Sequence, residues 1–164
     1  MVQGTAERDP YVYRPTSSWV NVVGAEADGH WISEEGRALR RVLERLRDEG
    51  GVDLARDAFV ISPFRQVVAG AKRACRDLMP PERVGTVHTT QGKEADVVIL
   101  VLGTDPGRAG ARAWAASRPN LLNVAVSRAK RRLFVIGNLD AWRDQRFFTT
   151  LAESLPAHTW QPQP

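Results

Sequence analysis

Asp96-Val97-Val98-Ile99-Leu100-Val101-Leu102 is an unbroken apolar run behind a single aspartate. Successive side chains of a strand point to opposite faces, so a strand that is apolar at every position offers neither face to water. Such a strand needs a covering layer on each side, which is the pattern of a parallel sheet sandwiched by helices. Ala58-Phe59-Val60-Ile61 has the same character. The two runs together predict an α/β fold.

Outward from these strands, the chain alternates. Trp19 to Val23 is rich in strand formers, and a helix is expected to open at Ser33, whose hydroxyl would cap the first turn beside Glu34 and Glu35. Leu39, Val42, Leu43 and Leu46 fall at i, i+3, i+4 and i+7, giving one buried stripe that Gly50-Gly51 ends. A second amphipathic helix follows Ser62-Pro63-Phe64 through Val67, Ala71, Ala74, Cys75 and Leu78, and Pro80-Pro81 stops it. A shorter strand is expected around Arg83 to Val87. Gly103 to Pro119 reads as a long loop with one turn of helix near Trp114. A helix over about Asn120–Lys130, a strand over Arg132–Ile136 and a helix over about Ala141–Leu155 complete the reading. Residues 1–18 are expected to be a lead-in, 19–155 one folded domain, and 156–164 a loose tail.

Composition bounds the function. The 164 residues suffice for one core, and 43% hydrophobic with 26% charged residues is ordinary globular usage, against disorder or a membrane-embedded chain. No stretch approaches ~18 consecutive apolar residues, and the start MVQGTAERDP lacks a secretion-signal pattern, so neither a membrane partner nor export is expected. Cys75 is the only cysteine, which excludes an internal disulfide and any CxxC metal motif and fits a reducing cytoplasm. His30 and His158 lack ligand-spaced cysteines or acids, so no metal site is expected. The net charge of +4 is compatible with a polyanionic partner.

Nucleotide-binding α/β domains usually carry GxxxxGK[ST] or GxGxxG after the first strand, and neither occurs here. Gly24 to Gly29 (GAEADG) has no lysine or hydroxyl to reach phosphates and magnesium. Three polar blocks nevertheless stand at strand ends. They are Val60 to Gln66 (VISPFRQ), Gly85 to Asp96 (GTVHTTQGKEAD) and Asn123 to Lys130 (NVAVSRAK).

In order and spacing these blocks resemble motifs IV, V and VI of superfamily 1B helicases, the group that includes the nonsense-mediated-decay helicase and the nuclease-helicase that trims lagging-strand flaps. QGKEADVVIL followed by LNVAVSRAK is the specific pairing. The resemblance spans about Trp19 to Leu155 and corresponds to the second RecA-like domain. The chain departs from the pattern at Thr90, where the family often has an aromatic residue, and at Leu121, where it usually has an arginine.

The resemblance implies a partner, the first RecA-like domain with its ATP-binding loop, and implies ATP and Mg²⁺ in the intact enzyme rather than on this chain alone. Arg128 matches the arginine finger, the catalytic cation brought to the γ-phosphate when the two domains close. Gly92, Glu94 and Arg65 match nucleotide-facing positions, Glu94 being suited to a ribose hydroxyl because a carboxylate accepts hydrogen bonds. Ser62, His88, Thr89 and Gln91 match the face that holds single-stranded DNA or RNA through its backbone. For His88 and Gln91 a purely structural part in the loop stands beside the binding one. A different class of function, a stand-alone, non-catalytic nucleic-acid- or protein-binding module on the same fold, is the alternative.

Overall fold

The computed structural model describes residues 17–24, 26–86, 89, 94–104, 107–116, 129–145 and 148–161. Among them is a six-stranded parallel sheet, with β1 (Ser18–Asn21), β4 (Ala58–Ile61), β5 (Val84–Gly85), β6 (Ala95–Val101), β7 (Ala129–Gly137) and β8 (Ala157–Thr159). They lie in the order β5-β4-β6-β7-β1-β8. A small antiparallel hairpin, β2 (Ala27–Asp28) with β3 (Trp31–Ile32), follows β1. The helices are α1 (Ser33–Asp48), α2 (Leu54–Asp57), α3 (Arg65–Ala74), α4 (Ala109–Ala116), α5 (Leu139–Trp142) and α6 (Phe148–Ser154). This is the expected α/β architecture, a RecA-like fold with a mostly parallel sheet flanked by helices.

The core forms where the apolar runs required it. Val97 to Val101 are at most 4% exposed, and Ala58 to Ile61 at most 1%, so both pleated faces of β4 and β6 are dry. Each fully buried Val, Ile or Phe there contributes about 1.5–3 kcal/mol of hydrophobic transfer. Leu39, Leu43 and Leu46 face this core from α1, with Val42 half-buried at the stripe's edge. Helix α1 packs on α3. Gly36 and Gly70 leave room for the Trp31 ring, which occupies the space where their Cβ atoms would project.

Several expectations are corrected. Ser33 does not cap α1: it is the first helical residue, and the cap position is Ile32, whose side chain offers no acceptor. The single turn expected near Trp114 is the eight-residue helix α4, as its alanine-rich sequence favours. The last helix is interrupted, with Asn138 capping the short α5 by accepting from Ala141 N at 3.1 Å, and α6 beginning only at Phe148. Strand β7 starts at Ala129, so Ala129 and Lys130 are strand rather than helix, while 117–128 lie outside the described residues. The tail expected from 156 instead supplies β8. Its backbone pairs with β1 in parallel, Trp19 N donates to Pro156 O at 2.9 Å, and Trp160 Nε1 donates to Glu34 at 2.8 Å. An edge strand is held by main-chain groups, so its exposed side chains carry little signal.

Candidate functional site

In the order β5-β4-β6-β7, the chain leaves β4 toward one edge and β6 toward the other, so the winding reverses between these neighbours. The crevice beyond their carboxyl ends is where α/β folds place ligands. Ser62-Pro63-Phe64 stands there, above β4. Ser62 is 2% exposed, its Oγ accepts from Phe64 N at 3.2 Å, and its N donates to Gly85 O at 3.1 Å. It therefore shapes the turn out of β4. Arg65 and Gln66 open α3 and are exposed. Gln66 grips the hairpin twice, donating from Nε2 to Asp28 O and accepting at Oε1 from His30 N, both at 2.8 Å.

Beyond β6, the chain turns through two left-handed residues, Gly103 at φ 62° and Thr104 at φ 81°. A Cβ on Gly103 would collide with the His30 carbonyl, so only glycine fits. Threonine in this region is strained, of order 1–3 kcal/mol, and persists only where its surroundings fix it. Thr104 N donates to His30 O at 2.7 Å, which supplies part of that fixing. His30 in turn stacks on Phe64, with centroids 4.3 Å apart and planes at 13°.

Glu35 lies beneath this turn and was not singled out from the sequence. It is 0% exposed, one carboxyl oxygen accepts from Gly103 N at 2.9 Å, and the other has no partner among the described residues. Burial pushes its pKa up to about 8, against the smaller opposing pull of the Gly103 amide, so it is largely protonated at neutral pH. Burial, helped by the Arg108 charge, lowers the pKa of His30, whose Nδ1 is also buried without a partner among the described residues. The signal for Glu35 was available: it stands four residues before Leu39, on the buried stripe.

The second block runs from the carboxyl end of β5 to the amino end of β6. Thr89 is exposed and closes a turn on Thr86 O, with its N at 3.2 Å and its Oγ1 at 3.0 Å. Glu94 is exposed at the amino end of β6. There Ala95 pairs with Ala129, the residue after Arg128 in sequence. Ile61 pairs with Leu100, five residues further along β6. The backbones at Ser62 and Arg65 are thus separated from Glu94 by most of a strand, about 16 Å at strand rise. Glu94 and Arg65 were expected to share the nucleotide; the fold does not bring them together and sets Arg65 beside Ser62. Gly92, Arg128, His88 and Gln91 lie outside the described residues.

Among the described residues no group of three or more His, Cys, Asp or Glu could hold a metal ion, and no helix is long and apolar enough to cross a membrane. A family model described as an AAA domain matches residues 8–140, well over half of the chain. No curated protein matches it. The buried parallel sheet, its winding reversal between β4 and β6 and the length of this match agree, and the chain belongs to this AAA-domain family, a helicase-related domain of the P-loop superfamily.

Proposed function

We propose that the chain is the second, C-terminal motor domain of a superfamily 1B helicase or translocase that uses ATP to move along single-stranded DNA or RNA in a bacterial cytoplasm. It contributes an arginine finger, Arg128, and part of the nucleic-acid groove, and it is inactive alone. The observation that carries this reading is the β6–β7 register. Ala95 and Ala129, the first residues of two neighbouring strands, are partners, and in sequence they follow Glu94 and Arg128. One composite surface can then present a hydroxyl acceptor and a cation to a nucleotide held by a partner domain. The Ser62 turn stands at the other end of the sheet, which leaves it for the strand.

The sequence has no phosphate loop to bring a magnesium-bound nucleotide to this chain. Metal and phosphate binding fall to the first RecA-like domain. The purified chain is accordingly expected to show no ATPase activity above background.

Charge on a transferring phosphoryl group redistributes at the transition state, so a cation arriving with domain closure acts more on turnover than on ground-state affinity. Arg128→Ala in the intact parent is expected to cost ~10³- to 10⁵-fold in ATP turnover while leaving nucleotide binding largely in place. Arg128→Lys is expected to lose most activity as well, because it keeps the charge without the planar fork. Steady-state ATPase assays with nucleotide titrations check this. A well-folded Arg128→Ala parent working within about threefold of the unmodified enzyme overturns the assignment.

A further inference from the structure

Among the described residues the exposed large apolar side chains are Val23, which follows β1, and Trp114, on α4 after β6; both lie beyond carboxyl ends of the sheet. Trp114 is 49% exposed, too much for a ring serving only the core. It is also not isolated. Its ring lies 6.2 Å from that of Phe64, tilted by 36°, and Phe64 lies 4.3 Å from the near-parallel His30. Phe64 is 6% exposed and His30 is half-buried, so the pair forms a footing and the indole is the member of the row most open to solvent.

The footing is pinned from below. Gln66 ties the hairpin that carries His30 to the start of α3, and Glu35 and the His30 carbonyl hold Gly103 and Thr104 on the way to α4. The surroundings are cationic. Arg65 follows Phe64 directly and is exposed, and Arg108, exposed at the start of α4, is close enough for its charge to disfavour protonation of His30. An aromatic face flanked by arginines at a sheet edge is the chemistry that holds single strands without reading sequence, through base stacking and phosphate pairing.

We infer that Trp114 is a stacking platform for one base of a bound single strand, with Phe64 and His30 as its footing and Arg65 and Arg108 as partners of the flanking phosphates. The inference rests on the reading of the chain as a translocase domain and deepens it by naming where a base is held. It also gives Arg65 a ligand at the edge where it stands, apart from Glu94.

The test uses the full chain, oligothymidylate, and an abasic deoxyribose-phosphate oligomer of equal length, in low salt. Oligothymidylate is expected to quench part of the tryptophan fluorescence, since Trp19 and Trp142 are fully buried, Trp31 and Trp160 are half-buried, and Trp114 is the exposed indole. Trp114→Ala is expected to weaken oligothymidylate binding about tenfold or more while leaving the abasic oligomer's affinity unchanged. Trp114→Phe is expected to keep most of the affinity and lose most of the quenching. If Trp114→Ala, with an unchanged melt, binds oligothymidylate within about twofold of the parent sequence, the platform is wrong and the translocase reading survives. If the unmodified chain binds neither oligomer, both fall. Should Trp114→Ala fail to fold, a Trp114→Phe chain quenched by oligothymidylate as strongly as the unmodified one overturns the platform by itself.

Discussion

In β4 and β6, Phe59, Val60, Val98, Ile99 and Leu100 are wholly apolar and at most 4% exposed, and their main-chain groups are joined in one ladder. Just past the carboxyl ends of the same strands stand a buried carboxyl with one idle oxygen, an imidazole with a buried idle nitrogen and a threonine at positive φ. The interior is assembled from groups that lose nothing on leaving water. The edge keeps groups that each cost free energy to hold. Such costs persist where a surface must present fixed chemistry, so stability and function are separated along the length of the strands.

The largest stability effect is expected in the interior. Ile99→Ala should cost about 2–5 kcal/mol, because the dry, two-sided packing around β6 cannot collapse into the space left behind. Urea unfolding measures it, and a loss below about 1 kcal/mol would erase the contrast between the two regions.

At the edge, the effect should depend on pH. Glu35 has its folded pKa raised from 4.5 to about 8, so between these values the folded chain retains a proton that the unfolded chain has released. The folded chain then binds more protons, and stability falls as pH rises through that window, by up to roughly 1.4 kcal/mol per unit. Glu35→Gln keeps an acceptor for Gly103 N and cannot ionise, so its melting temperature should stay flat from pH 6.5 to 8 while that of the unmodified chain declines. The lowered pKa of His30 acts in the opposite sense and only below its ordinary 6.5, outside this range. Parallel pH profiles for the two proteins would show that the edge is ordinary packing. The smallest effect belongs to Asn138, at the carboxyl end of β7, whose side chain caps α5. Asn138→Ala should cost about 1 kcal/mol at any pH between 6 and 9, which calorimetry can resolve.

The interior was legible because its signal is local. Ala58–Ile61 was read to the residue, and the run after Asp96 was displaced by one position. The three blocks stand out by their strand-end positions and their resemblance to helicase motifs, but the separation of Ser62 and Arg65 from Glu94 depends on which strands pair. Glu35 stands in the first turn of α1, where the sequence expects an acid because acids suit helix starts. Its burial depends on Gly103, 68 positions away, arriving with an amide to offer. Strand β8 was missed for a related reason, its side chains being exposed and its hold on β1 lying in the main chain.

The pairing of β6 with β7 contains one irregular step. Ala95 faces Ala129, but Val97 faces Arg132, so two residues on β6 span three on β7. Strand side chains alternate, and an extra residue therefore reverses the phase of everything upstream of it. Removing one residue from 129–131 would make the ladder regular and could leave Arg132 to Gly137 undisturbed. The single surplus residue is thus a phase setter, which decouples the start of β7 from the regular ladder that Arg132 to Ile136 forms with β6.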